Sequence, residues 1–488
     1  MVSDLVAGLL VAWALGAPQE PASPAPVSAA PAADEDRYVE IVTVPVPDDV
    51  VLEVGGLCEL DDALFVCTRR GEVWRAEDPY GASPRWSLWA EGLQEPLGLV
   101  ARDGGLLCAQ RGELSLLRDR DGDGRMDALD TLAQGWPLSG NYHEYCFGPA
   151  VQPDGTIWLT LNKPFGEEPF GRAAFRGWAI SIPPDGGAWV GECAGLRSPC
   201  GVATAPWGDV FYTDNQGEWC PTGKLALLRR GDFHGHPWGV ESCALPESRV
   251  APVGAVESGQ RIDVAARAIP GFRLPAVWIP YDELGRSPAG FAWDSAGAFG
   301  PYAGQLFCGD QYSAEVFRVT LERVGDDWQG ACYPFRRGLA CGAVRVVQAR
   351  DGALWCGLTN RGWGSLGQQE HGLQRIVWRG EVPFDLVEVT AAPAGFALRF
   401  SAPVAAAAAV AVRSWTYDLH EAYGCDPRDV RGHGAQVRVD PTRADRLLLD
   451  VDDLQPVRVY AIDAAAVRDR DGRAPWHGRA WYTRNQAP

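Results

Sequence analysis

The stretch CGAVRVVQARDGALWCGLTN, residues 341–360, decides the fold. It reads as a strand that opens on glycine, a turn carrying Asp and Gly, and a second apolar strand that ends in a polar pair. Five further copies stand upstream: VGGLCELDDALFVCTRR (54–70), PLGLVARDGGLLCAQR (96–111), YCFGPAVQPDGTIWLTLN (145–162), PCGVATAPWGDVFYTDN (199–215) and PAGFAWDSAGAFGPYAGQLFCGDQ (288–311). Each runs on into another apolar segment, such as GEVWRA, GELSLL or AEVFRV. That makes roughly four strands per unit, the content of one propeller blade.

The copies predict an all-β chain built on a six-bladed β-propeller. One gap between them is about twice the usual length; it holds residues 234–287 and reads as a long rim insertion between blades four and five. A seven-bladed ring is the alternative if that gap hides another copy. Residues 38–46 read as the strand that closes the ring, because an open ring would leave bare sheet edges. After Trp378 the repeat stops, and short alternating strands follow at GFALRF (395–400), AQVRVD (435–440), RLLLDV (446–451), VRVYAI (457–462) and RAWYTR (479–484). These predict a small immunoglobulin-like β-sandwich. The expected organisation is a signal peptide at 1–17, a Pro/Ala-rich linker at 18–37, the propeller at 38–380 and the sandwich at 381–488.

Composition points the same way. The 488 residues include 20 Trp, 57 Gly and 37 Pro but only 2 Met, which favours strands and tight turns over helices. The net charge of −19 repels phosphate backbones and anionic headgroups, so nucleic acid and membrane surfaces are excluded as expected partners. The apolar run from Leu5 to Ala17 is shorter than the ~20 residues a membrane-spanning helix needs and reads as a signal-peptide core, although Asp4 stands where basic residues are usual. The expected location is secreted or periplasmic, with no membrane span. Cys67, Cys108, Cys308 and Cys356 sit in apolar triplets and read as buried thiols, while Cys193 with Cys200 and Cys332 with Cys341 are the nearest candidates for pairing. No CxxCH is present, so no covalent haem site is encoded.

The sharpest local motif is DRDGDGRMDALD, 119–130. Asp119, Asp121, Asp123, Asp127, Asp130 and the Arg125 carbonyl follow calcium-loop spacing, with Gly124 at the tight turn and Asp130 where a longer Glu is usual. The plain alternative is an acidic, solvated turn. A second constellation is the polar set at corresponding strand ends: Arg69 and Arg70, Gln110 and Arg111, Asn162, Asp214 to Gln216, Asp310 and Gln311, Asn360 and Arg361. In a propeller these gather on one face, as either a ligand mouth or ordinary strand-end hydrogen bonding. His143 and Glu144 precede the third copy, where either side chain could serve as a base. His234 and His236 in FHGHP have no evident third ligand and read as a structural turn.

Over about 38–380 these residues resemble the glucose/sorbosone dehydrogenase family, six-bladed propellers that bind pyrroloquinoline quinone with calcium and oxidise sugars by hydride transfer. The strings LRSPCG, YTDNQGEW, FHGHP, ELGRSP, LTNRGW and RAWYTRN look more closely like large exported proteins of planctomycete-type bacteria labelled membrane-bound dehydrogenases. The resemblance implies that Arg197, Arg345 and Gly217 contact the quinone and that Gln216 and Gln94 face the substrate. The family's base histidine would fall at Gly140, leaving His143 as the candidate base, and its lysine would fall at Tyr312. The resulting expectation is an exported quinoprotein-like dehydrogenase of a sugar or polyol, using pyrroloquinoline quinone and calcium, with its electron acceptor unassigned. The alternative is a non-catalytic propeller that binds a surface glycan or a protein partner.

Overall fold

The regular secondary structure is almost entirely strand, and four-stranded antiparallel sheets repeat along the chain in the manner of a β-propeller. The computed structural model describes residues 35–165, 172–361 and 363–488. The expected signal peptide and residues 18–34 of the expected linker lie outside the described residues. Glu35 already belongs to the fold: it is buried and accepts hydrogen bonds from Arg336 Nη1 at 2.7 Å and the Arg337 amide at 3.0 Å. The linker therefore ends earlier than residue 37.

Each written repeat supplies the first two strands of a sheet. The innermost strands are Val54–Leu60, Leu99–Arg102, Cys146–Val151, Gly201–Thr204, Pro288–Trp293 and Ala343–Gln348. They touch in that order, and the last returns to the first. The repeating glycines of the sequence lie where these strands crowd together. A Cβ on Gly98 would stand 1.5 Å from the Gly148 carbonyl oxygen, so no larger residue fits there. In the sheet begun by Ala343–Gln348 the outer strand is Val39–Thr43, paired to His371–Trp378, which is the closure expected of residues 38–46.

Two features differ from the sequence expectation. The long insertion does not lie between two sheets. It lies inside the fourth sheet, between Gly223–Leu227 and Val277–Ile279, and follows the outer edge of the third sheet, where the Arg249 amide bonds the Gly191 carbonyl. Periodicity could not reveal this, because a three-residue fourth strand carries no readable alternation. The C-terminal region is also not a separate body. The strand Asp327–Arg337 of the fifth sheet pairs with Arg479–Arg484, making one eight-stranded sheet that runs on through Arg458–Asp463 and Ala411–Thr416 to Arg428–His433. A second sheet of Leu386–Ala392, Gly395–Phe400, Arg443–Val451 and Ala435–Asp440 faces it across a core that includes Phe396, Leu398, Leu449 and Tyr460. All thirteen cysteines are unpaired, so neither candidate disulfide forms. Burial pushes the Cys67 and Cys146 thiols up to about 12, as expected of packed, inert sulfur.

Candidate functional site

An up-and-down sheet sends alternate turns to opposite ends. The first-to-second and third-to-fourth turns share one face, and the second-to-third turns and sheet-to-sheet connections share the other, here called the mouth. Strand-end polar residues and their neighbours meet at the mouth. Its centre is Glu218. Arg197 Nε and Nη2 donate to Glu218 Oε2 at 3.1 and 3.0 Å, and Lys163 Nζ stands 2.6 Å from Oε1. His236 Nε2 lies 3.8 Å from the same Oε1, and its Nδ1 accepts the Trp238 amide at 3.0 Å. Burial opposes ionisation of Glu218, but the His236 imidazole and the Arg197 and Lys163 charges outweigh it and hold the carboxyl far below the usual range. Burial brings His236 down to about 4, so its ring is neutral. Gly217 makes this arrangement possible: a Cβ there would stand 1.9 Å from the Arg197 guanidinium carbon. Its glycine serves the arginine.

Beside this cluster lies His143. Its ring stacks on Trp363 with centroids 5.7 Å apart and planes at 11°, and meets Phe165 edge-on at 5.0 Å. Burial, followed by the charges of Lys163, Arg361, Arg197 and Arg111, lowers its pKa, so the imidazole is neutral near pH 7. Arg361 is only 5% exposed. Among the described residues its Nε and Nη2 have no hydrogen-bond partner, Glu95 Oε1 standing 3.6 Å from Nη2, and the guanidinium lies 4.3 Å from the Tyr145 ring centroid. Glu95 is shared with Arg111, whose Nε donates to it at 3.0 Å. Arg361 and Glu95 both hold positive φ, 52° and 45°, a strained backbone for residues of this size.

Other residues named from sequence are engaged elsewhere. Arg345 spans the neck of the axial channel and donates to main-chain carbonyls of four different segments: Gly55 at 2.7 Å, Leu97 at 2.9 Å, Cys200 at 3.2 Å and Val344 at 2.6 Å. Arg345 also lines a cavity of about 310 Å³ between the innermost strands. Gln216 is buried and donates to the Pro221 carbonyl at 3.1 Å, while Gln94 is exposed and its amide donates to the Gln110 side chain at 2.6 Å. Much of the strand-end set proves to satisfy backbone. Asp214 accepts the Arg197 and Ser198 amides, and Asp310 the Arg286 and Ser287 amides. Glu144 is fully buried and accepts the Ser139 and Gly140 amides, which leaves His143 as the accessible member of that pair.

The acidic loop stands on the opposite face, between Glu113–Arg118 and Ala128–Gln134. Carboxylate oxygens of Asp119, Asp121 and Asp123 lie within 4.8 Å of one another. The remaining expected ligands do not join them. Asp127 accepts the Arg120 amide at 2.8 Å, and Asp130 pairs with Arg118 and Arg120. Asp130 belongs to a strand, and its side chain is directed across the sheet instead of toward the loop centre.

Sequence reading missed Lys163, Glu218 and Trp363 as site members. A usable signal existed, since Lys163 follows Asn162, Glu218 ends the NQGE string and Trp363 follows Arg361, each just beyond a strand end. A domain of unknown function, DUF7133, matches residues 69–233. No curated protein matches significantly. Among solved structures, the quinone-binding domain of Coprinopsis cinerea pyranose dehydrogenase in its holo form is 12% identical, with 70% of this chain covering 98% of that one at a TM-score of 0.50. The PQQ-bound aldose sugar dehydrogenase of Streptomyces coelicolor is 18% identical, with coverages of 71% and 99% and a TM-score of 0.47. A glucose dehydrogenase-type oxidoreductase of Thermus thermophilus is 20% identical, with coverages of 70% and 99% and a TM-score of 0.49. The chain thus shares the fold of the pyranose dehydrogenase domain over 70% of its length.

Proposed function

We propose that the chain is an exported, six-bladed quinoprotein-like dehydrogenase of a sugar or polyol, with an immunoglobulin-like C-terminal sandwich. The observation that carries this reading is Arg361: a buried guanidinium with two nitrogens that make no hydrogen bond among the described residues, Glu95 standing at ion-pair distance only, at a mouth that also holds Lys163, Arg197 and Arg111 around a neutral histidine. Buried donors without partners call for an anionic acceptor. Pyrroloquinoline quinone, a planar group with three carboxylates, fits there. Arg361 would hold its carboxylates, Lys163 and Arg197, both paired with Glu218, would add to the field, and the Trp363 ring offers a flat surface. Arg345 does not fit this role, because carbonyls already occupy its guanidinium.

When bound, the quinone supplies the hydride acceptor. The chain's own contribution is proton handling and charge. A ring nitrogen of neutral His143 takes the hydroxyl proton of the substrate, and the surrounding cations stabilise the negative charge that develops on its oxygen. Burial, followed by the same cations, favours the unprotonated imidazole. Asp119, Asp121 and Asp123 would supply three carboxylates to a calcium ion that stabilises the loop on the far face.

Titration of the purified protein with the quinone, followed through tryptophan fluorescence, together with aldose-dependent dye reduction, tests the reading. Saturable binding with turnover supports it, and absence of quinone binding overturns it. A second reading, a non-catalytic propeller that grasps a surface glycan or protein partner, is favoured by the engaged state of Arg345. It predicts ligand binding without turnover.

A further inference from the structure

The mouth is not made by the propeller alone. A loop of the C-terminal domain, residues 420–425, is laid along the 216–221 turn. The Trp219 amide donates to the His420 carbonyl at 2.8 Å, the Gly424 amide to Gly217 at 3.1 Å and the Cys425 amide to Pro221 at 2.8 Å. Glu218 and Tyr423 form an isolated antiparallel bridge, and the Glu421 amide donates to Ser258 Oγ of the insertion at 3.1 Å. The loop is therefore fixed from two sides. On it stands Tyr423, 66% exposed, with the Arg197 guanidinium carbon 5.5 Å from its ring centroid. Arg197 also lies 4.6 Å from the Phe165 ring, which meets His143.

A large aromatic side chain left in water on a rigid loop contributes little to the core. Its position beside a charged cluster matches how flat aromatic faces receive the C–H face of a sugar ring. We propose that Tyr423 is a specificity-determining residue that stacks on a sugar ring next to the one held at His143, so that the C-terminal domain selects saccharide chains over single sugars. Arg197 and Phe165 stand between Tyr423 and His143, which leaves Tyr423 to a neighbouring ring. The inference rests on the saccharide part of the proposed function and is independent of the quinone.

Calorimetric titration of the full chain without quinone, using glucose, cellotetraose and maltotetraose, provides the test. Tyr423→Ala should weaken binding of at least one tetrasaccharide by roughly ten-fold and leave glucose nearly unchanged, while Tyr423→Trp retains the tetrasaccharide. Circular dichroism checks that the variants fold. Equal tetrasaccharide affinity of Tyr423→Ala and the unsubstituted protein overturns the inference, as does a failure of the unsubstituted protein to bind either tetrasaccharide. Should the quinone fail to bind while Tyr423→Ala still loses the tetrasaccharide, the quinone reading falls and this one stands.

Discussion

The two faces of the propeller solve the same turn problem with different residues. On the face opposite the mouth, the left-handed positions of the first two hairpins are Asp61 and Asp103, at φ 53° and 50°. Aspartate tolerates that conformation at low cost. At the mouth the same region of backbone space holds Phe175, Asp282 and Ala314 and, around the charged cluster, Glu95, Trp219 and Arg361, at 45°, 58° and 52°, which carry longer or bulkier side chains than aspartate. Two of these three form the Glu95–Arg361 pair, and the third follows Glu218 directly. The far face thus has turns suited to folding. The mouth has turns that hold charged side chains in place at an energetic cost, and strain of this kind concentrates where ligands bind.

The comparison is open to attack from both sides. The largest expected effect belongs to His143→Ala: if the mouth is catalytic, quinone-dependent turnover falls about 100-fold or more while quinone affinity is retained, measured by dye reduction alongside fluorescence titration. Arg361→Gln should lower quinone affinity by roughly ten-fold. The same substitution removes a cation that depresses the His143 pKa. The base form of His143 would then be lost at a higher pH, so the acid limb of the rate profile, or the histidine resonance in a proton NMR titration, moves up toward 6.5.

Acid stability gives a smaller effect. An unfolded imidazole binds a proton near 6.5, whereas folded His236 refuses it until about 4. Its contribution is full above 6.5 and is lost as pH falls toward 4, amounting to up to about 3 kcal/mol. Thermal melting should show that His236→Gln flattens this part of the pH profile. On the far face, Asp61→Ala should cost about 1 kcal/mol through strain alone and leave every ligand affinity unchanged. Millimolar calcium should raise the melting temperature of the unsubstituted protein and not that of a combined Asp119→Ala, Asp121→Ala variant. Neither condition should alter quinone affinity.

The repeats were legible because alternation and turn glycines are local, and the sandwich strands 395–400, 435–440 and 479–484 emerged with their bounds unchanged. Arg197 and His143 were found because they sit in or beside recognisable strings. The roles of Arg345 and Gly217 were not legible. They depend on which atoms meet across the ring, and a guanidinium engaged by four carbonyls has the same letter as one that awaits a ligand. Tyr423 lay furthest from reach. More than two hundred residues separate it from Arg197, and the two meet where the 420–425 loop is bonded to the 216–221 turn.

That sheet also bears on how the molecule is made. The edge of Asp327–Arg337 stays bare until Arg479–Arg484, near the C-terminus, arrives to cover it. At the other end, Val39–Thr43 waits for His371–Trp378 before the ring can shut. Both seams join segments far apart along the chain, so each edge is covered only after the residues between its two strands have been made. A polypeptide built this way keeps two sheet edges open to other strands until their distant partners arrive.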